Sequence, residues 1–283
     1  MESIGELRAR CQTVHADDFS AQIVRRVSIY FTWLLIPTGI SANGVSMVNV
    51  AVGVMAGVSF AAGALAGYAL AGYVIGAILF AINAILDGVD GEIARYRRKS
   101  SLTGLYADRI NSIFVYPFLI FGTAAGLYWQ YNVVEMLFVG FVAAWGFNAL
   151  RLVKTNMDST VIDGLTLSKA RREEAVSTIP REAVYQPFSE YLRAKNNVLL
   201  AALDFMLVRQ PGIVIVFGLA VAAEATIAVT YGNESIVLAP LFYVALAYAL
   251  VTLAAIPAAI YVTLAQKRVE QAFAHVQERM AQG

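Results

Sequence analysis

The chain is 283 residues long, 59% hydrophobic and 14% charged, with a mean hydropathy of +0.63. A soluble domain runs nearer half apolar and a quarter charged. The composition therefore excludes a disordered chain, an ordinary soluble enzyme and a nucleic-acid binder built on a basic surface, and points to a helical membrane protein of several spans. The net charge of +1 says nothing about partners as a total, whereas the placement of the charges is informative. A single cysteine, Cys11, excludes an intramolecular disulfide and a Cys-based metal cluster. The two histidines, His15 and His275, lie near opposite ends and argue against a His-rich zinc site.

In chain order, residues 1–43 are polar and mixed in charge, with no long apolar run behind a short basic start, so no cleaved signal peptide is expected. Within them, residues 18–38 carry Phe19, Ile23, Val24, Val27, Ile29, Tyr30, Phe31, Trp33 and Leu34 beside Arg25 and Arg26. This mixture suits an amphipathic helix in the headgroup layer, or simply the approach to a first span. Six apolar stretches follow that are long enough to cross a bilayer: Gly44–Ala62, Ala66–Asp90, Leu105–Leu127, Val133–Leu152, Gly212–Tyr231 and Ile236–Leu264. No alternating ten-residue pattern recurs, so strands are not expected. Residues 153–211 are too long for a bare loop and hold Pro180, Pro187, Pro211 and the charged run Lys169–Glu174. Two or three amphipathic helices are predicted there, and another over 267–283.

The fold class is thus all-α and integral to a membrane, with six transmembrane helices behind a juxtamembrane helix. The organisation is a cytoplasmic N-terminal part at 1–43, a six-helix domain at 44–266 with its insertion at 153–211, and a tail at 267–283. All 21 Lys and Arg fall in the N-terminal part, the second–third connection, the fourth–fifth connection or the tail, or at their edges. With six spans these regions share one face, and the positive-inside rule makes it cytoplasmic. Both termini are predicted inside, in the cytoplasmic (inner) membrane.

The second span ends in D-G-V-D-G-E-I-A-R, from Asp87 to Arg95. Ionisable groups at membrane depth are costly and usually functional. At about 100° per residue, Asp87, Asp90, Gly91 and Ala94 share one helix face. Gly88, Gly91 and Ala94 are small enough for backbone or ligand to approach. A basic turn follows, and the third span opens with Gly104 and Asp108 one turn apart. An antiparallel pair joined by this turn would gather Asp87, Asp90 and Asp108 near the cytoplasmic surface. Such acids either pair with Arg95, Arg97 and Arg109, or hold a cation that relieves their mutual repulsion. All-oxygen ligation suits Mg²⁺, Mn²⁺ or Ca²⁺ rather than zinc, and a cation beside basic residues suits a phosphate or diphosphate substrate.

The pattern D-x2-D-G-x2-A-R-x8-G-x3-D-x3-D resembles the signature of the CDP-alcohol phosphotransferases, matched at Asp87, Asp90, Gly91, Ala94, Arg95, Gly104 and Asp108. Ser41-Ala42-Asn43-Gly44-Val45-Ser46 is similar to the T-P-N-x-V-T stretch that opens the first span in that family. The resemblance implies transfer of a phosphoalcohol or phosphatidyl group from a CDP-linked lipid or alcohol to an acceptor alcohol or alcohol phosphate, with CMP released. It implies Mg²⁺ or Mn²⁺ held by Asp87, Asp90 and Asp108, and nucleotide contacts at Ser46, Gly91, Ala94, Arg95 and Gly104. A homodimer surrounded by membrane lipids is expected, with no nucleic-acid partner. The last aspartate of the pattern falls at Ser112, which cannot serve as a carboxylate base. Asp108 then becomes the nearest catalytic acid, with Asn111 and Ser112 in support. The alternative is an inactive nucleotide- or lipid-binding protein of the same fold. A transporter is disfavoured, because the acids sit at one membrane edge rather than at the midplane.

Four further features stand apart from the pattern. Arg151 and Lys154, at the end of the fourth span, are candidates for an acceptor pocket or plain positive-inside anchors. Lys169, Arg171, Arg172, Arg193 and Lys195 suit solvated helix faces or anionic headgroups. Glu224 lies within the fifth span, where a carboxyl needs a partner, and Glu135 is expected at the outer interface. The Gly- and Ala-rich run from Ala51 to Gly72 is expected to allow close helix packing.

Overall fold

The computed structural model describes residues 2–12, 19–98, 102–169, 210–231, 236–265, 269 and 273–274. The described residues form helices α1 Ile4–Cys11, α2 Phe19–Leu35, α3 Ala42–Leu65, α4 Ala69–Tyr96, α5 Leu102–Tyr131, α6 Glu135–Lys169, α7 Gln210–Tyr231 and α8 Pro240–Ala265, and no strand. Six of them, α3 to α8, are long and apolar enough to cross a membrane, over Ala42–Leu65, Ala69–Tyr96, Asn111–Tyr131, Glu135–Val153, Gly212–Thr230 and Pro240–Tyr261. These spans coincide with the six apolar stretches within a few residues. The expected all-α membrane fold is the observed one.

Local signals set the helix ends. Ser3 caps α1 by accepting from the Glu6 N–H at 3.3 Å, while the Ser3 N–H donates to Glu6 Oε2 at 2.8 Å. This reciprocal box satisfies two donors at the helix start. It also holds the Glu6 carboxyl below its ordinary range, mainly through the Ser3 backbone. Ser41 caps α3, its Oγ accepting from the Gly44 N–H at 3.0 Å. Gly39, at φ 75°, closes the short 3-10 turn between α2 and α3. Helix α4 stops where Arg98 turns to φ 51°.

Helix α3 packs along both α4 and α5, while α4 and α5 meet only locally. The expected α4–α5 hairpin is therefore splayed, with α3 wedged into it, and its two arms meet near Asp87 and Asn111. Close approach of α3 to α5 depends on glycine. A Cβ at Gly57 would lie 2.3 Å from the Phe118 carbonyl oxygen, and one at Gly122 would lie 2.1 Å from the Gly57 carbonyl oxygen. Gly57 falls in the Ala51–Gly72 run, which thus does what membrane packing asks of it. Helices α6, α7 and α8 complete the bundle around an aromatic centre, where Phe217 lies 6.0 Å from Phe60, 6.3 Å from Phe80 and 5.9 Å from Tyr248.

Helix α2 matches the predicted juxtamembrane helix and packs on α4, with α1 beside it. Its stripe of Val27, Tyr30, Phe31 and Leu34 faces outward. Helix α1 was not foreseen, although the S-x-x-E of Ser3–Glu6 announces it. Helix α6 runs without a break to Lys169, so the 153–211 connection begins as a continuation of the fourth span. The helices predicted beyond 169, the charges Arg171, Arg172, Arg193 and Lys195, and most of the predicted tail helix lie outside the described residues.

Candidate active site

Asp87 and Asp90 stand one turn apart on α4, both half-buried, near the end that leads into the basic turn. Two other helices orient them. From α3, the Ser46 Oγ lies 2.6 Å from Asp90 Oδ2 and 3.2 Å from the Ala42 carbonyl. From α5, Asn111 Nδ2 donates to Asp87 Oδ1 at 3.2 Å. Ser46 is 3% and Asn111 4% exposed, so both bonds are shielded from water. Ser112 follows Asn111 and is half-buried. Asp108 lies one turn before them on α5; its side chain lies outside the described residues. The α3 residue Ser46, the α4 acids and the α5 segment are thus brought to one end of the bundle, as the pattern requires.

The other residues singled out in the sequence take definite places. Gly88 faces α2, and a Cβ there would meet Ser28 at 3.1 Å, so its smallness serves helix packing. Gly91 lies under the Arg95 guanidinium, 3.2 Å from Nη1 to an added Cβ, and Ala94 is half-buried on the same helix. Arg95 Nε donates to the carbonyl of Cys11, the last residue of α1. A cation at a helix C-terminus complements the partial negative charge of its unpaired carbonyls. Burial pushes the Cys11 thiol up, so it stays protonated behind this contact. Gly104 lies in the first turn of α5. The Arg151 guanidinium sits 5.0 Å over the Tyr116 ring and 5.4 Å over Phe147. Tyr116 is one turn beyond Ser112, so stacking directs Arg151 inward beside the α5 site segment. Lys154 is three residues further along α6, with its side chain outside the described residues.

Three residues that the sequence reading passed over belong to this region. Glu92 is 0% exposed. It accepts from Gln12 Nε2 at 2.7 Å and Ser28 Oγ at 2.6 Å on Oε1, and from Thr32 Oγ1 at 2.5 Å on Oε2. At about 100° per residue it lies roughly 140° from Asp87 and 200° from Asp90. It therefore faces the opposite way and fastens α1 and α2 to the back of the acid-bearing turn. Asn49 and Asn83, each 1% exposed, lie beneath the acids. Asn83 Nδ2 is 2.9 Å from the Asn49 carbonyl, 2.6 Å from Asn49 Oδ1 and 3.4 Å from Asn111 Oδ1. Polar residues inside spans were the available signal.

The donors here are carboxylate, hydroxyl and amide oxygens, the chemistry of a hard divalent cation rather than of zinc. Among the described residues no three Asp, Glu, His or Cys side chains gather around one point. Asp87 and Asp90 supply two acids, and Asp108 is the third in the pattern. Away from this end, Glu224 is 2% exposed and hydrogen-bonded, accepting from Tyr131 Oη at 3.1 Å and from the Leu241 N–H at 3.5 Å. Glu135 is exposed at the first turn of α6.

No curated protein matches the chain. A model of the CDP-alcohol phosphatidyltransferase family, however, matches residues 39–269. That range holds all six spans, Ser46, both α4 acids, the α5 segment and Arg151. With the motif seated at one end of a six-helix membrane bundle and the match covering most of its length, the chain belongs to the CDP-alcohol phosphatidyltransferase family.

Proposed function

We propose that the protein transfers a phosphoalcohol or phosphatidyl group from a CDP-linked donor to an acceptor alcohol or alcohol phosphate, releasing CMP, with Mg²⁺ or Mn²⁺ at Asp87, Asp90 and Asp108. The observation that carries the reading is the convergence of Ser46, Asp87, Asp90 and Asn111 from three helices. In the reaction the acceptor oxygen forms a bond to the phosphorus that bears the transferred alcohol, and the bond to the CMP phosphate breaks. CMP leaves with that electron pair, and the acceptor hydroxyl loses its proton. A bound divalent ion would offset the diphosphate charge as it builds on the leaving oxygen. Ser46 and Asn111 hold the two α4 carboxylates in fixed orientations. Gly91, Ala94 and Gly104 are the small residues that would leave room for the nucleotide, with Arg95, bonded to the Cys11 carbonyl, beside Gly91. Arg151 and Lys154 are the candidates to receive an anionic acceptor.

Proton removal falls to Asp108, because Ser112 stands where the family pattern has its last carboxylate. That same serine favours the second reading, a nucleotide- or lipid-binding protein without turnover. A panel of CDP-alcohols and acceptors, assayed for CMP with and without Mg²⁺ or Mn²⁺, separates the two. Metal-dependent CMP from the wild type is expected, and its absence across the panel would favour the binding protein. A positioned general base contributes about 10²–10⁴-fold in rate. Ser112→Asp is expected to raise turnover by part of that range, and lower turnover would mean that the site is built around serine.

The reading places the protein as a homodimer in the inner membrane, with lipid against outward side chains such as Leu219, Val229 and Leu250. Both termini and the site face the cytoplasm, in keeping with the three short connections on the other face that carry no Lys or Arg. In a Cys11→Ser background, a cysteine at position 170 is expected to react with an impermeant maleimide only in inverted vesicles. Labelling in intact cells would reverse the orientation.

A further inference from the structure

Each helix that contributes to the site carries an asparagine one turn deeper in the bundle. Asn49 lies three residues beyond Ser46 on α3, Asn83 four before Asp87 on α4, and Asn111 three beyond Asp108 on α5. All three are almost fully buried. We propose that Asn49, Asn83 and Asn111 form a positioning layer that fixes Asp87 for the divalent ion. The inference rests on the metal-site reading above and deepens it.

The direction of this relay follows from its anchor. A backbone carbonyl only accepts, so the Asn83 atom 2.9 Å from the Asn49 carbonyl is an N–H. That amide nitrogen also faces Asn111 Oδ1 at 3.4 Å. Asn111 therefore presents its own nitrogen to Asp87 Oδ1, at 3.2 Å. An ionised carboxylate accepts and does not donate, so the Asn111 N–H is the donor to Asp87, while the two Asn83 N–H groups are shared among three oxygens, the Asn49 carbonyl, Asn49 Oδ1 at 2.6 Å and Asn111 Oδ1 at 3.4 Å. The α3 backbone thus sets which end of each amide points where, and Asn111 holds one Asp87 oxygen. Gly53 makes room for this: a Cβ there would lie 2.8 Å from Asn83 Nδ2 and 2.4 Å from a Val115 methyl.

Simple interhelical adhesion explains the layer less well. Asn49 Nδ2 and Asn83 Oδ1 are buried without a hydrogen-bond partner among the described residues. A pair kept for stability alone would be served as well by apolar side chains of similar shape. Orienting a metal ligand is a different task, and an outer partner of that kind typically changes metal affinity by about 10–100-fold.

The test measures Mn²⁺ binding by calorimetry on the purified full-length protein, alongside its thermal melting. Asn83→Leu and Asn111→Leu are each expected to weaken Mn²⁺ binding by about 10–100-fold, while melting temperatures without metal stay close to wild type. Thr123→Val is the control, since Thr123 is buried on α5 and bonded to its own helix at Leu119; its affinity should be unchanged. Should a leucine variant fail to fold, Asn111→Ser, too short to bridge Asn83 and Asp87, is measured in its place with the same expected loss. Wild-type affinity in the Asn83 and Asn111 variants would overturn the relay and leave the metal site standing. No Mn²⁺ binding by the wild type would overturn both.

Discussion

Asp90→Ala is expected to abolish divalent-ion binding and, with it, metal-dependent CMP release. Asp90 is one of two half-buried acids on α4, and its Oδ2 is held at 2.6 Å by Ser46. Loss of an outer partner alone costs about 10–100-fold in affinity, so loss of a direct carboxylate exceeds that range. Ser46→Ala, which removes the hydroxyl that bonds Asp90 and leaves both carboxylates in place, should fall inside it. The two variants therefore rank ligand above support on one helix-to-helix contact. Stability should move the other way in the absence of metal, because removing one of several neighbouring carboxylates relieves their repulsion. A melting temperature that holds while calorimetry loses the Mn²⁺ signal would separate lost ligation from lost fold. Unchanged affinity in Asp87→Ala, Asp90→Ala and Asp108→Ala alike would remove the site assignment.

Much of this architecture is legible in one sequence for simple reasons. A span must be about 20 apolar residues long, so the six helices announce themselves, and their observed limits depart from the apolar stretches by only a few residues. The acids of α4 are legible because charge inside an apolar helix is exceptional. The helix period places Asp87 and Asp90 on one face before any neighbour is known. What a single sequence does not show is which helices touch. Asn49, Asn83 and Asn111 lie far apart along the chain and meet only because α3 inserts between α4 and α5. Each is an isolated polar residue in its own span, and nothing local pairs it with the others.

Glu92 illustrates the same limit from another side. It stands inside the recognised motif, between Gly91 and Ile93, yet its partners Gln12, Ser28 and Thr32 all come from the N-terminal segment. Read along α4 alone it is one more acid at a membrane edge. Only the docking of α1 and α2 turns it into a buried clamp whose two oxygens receive three donors. The Arg95 contact with the Cys11 carbonyl completes this join. The motif turn therefore has one face with Asp87 and Asp90, the proposed metal ligands, and a structural face with Glu92.

Gly122→Ala is expected to force α3 and α5 apart and to cost the bundle much of its stability. The new Cβ would stand 2.1 Å from the Gly57 carbonyl oxygen and 2.7 Å from its carbonyl carbon. Both are backbone atoms, so no rotamer change relieves the clash, and the helices themselves must move. Overpacking a tight core costs about 1–3 kcal/mol and occasionally more, and a backbone-to-backbone clash belongs at the upper end or beyond. Gly218→Ala is the matched control, because no described residue lies within 4 Å of a Cβ at Gly218 on α7. There alanine should be neutral or mildly stabilising, as it loses less backbone freedom in a helix, by up to about 1 kcal/mol. The α3–α5 contact also sets the distance between Asn83, lodged against α3, and Asn111 on α5. Separation of these helices should therefore weaken Mn²⁺ binding as well as lower the melting temperature of Gly122→Ala, while Gly218→Ala keeps both. A Gly122→Ala protein that melts with the wild type would show that α3 and α5 tolerate a wider spacing, and that glycine at this crossing is not what brings the site together.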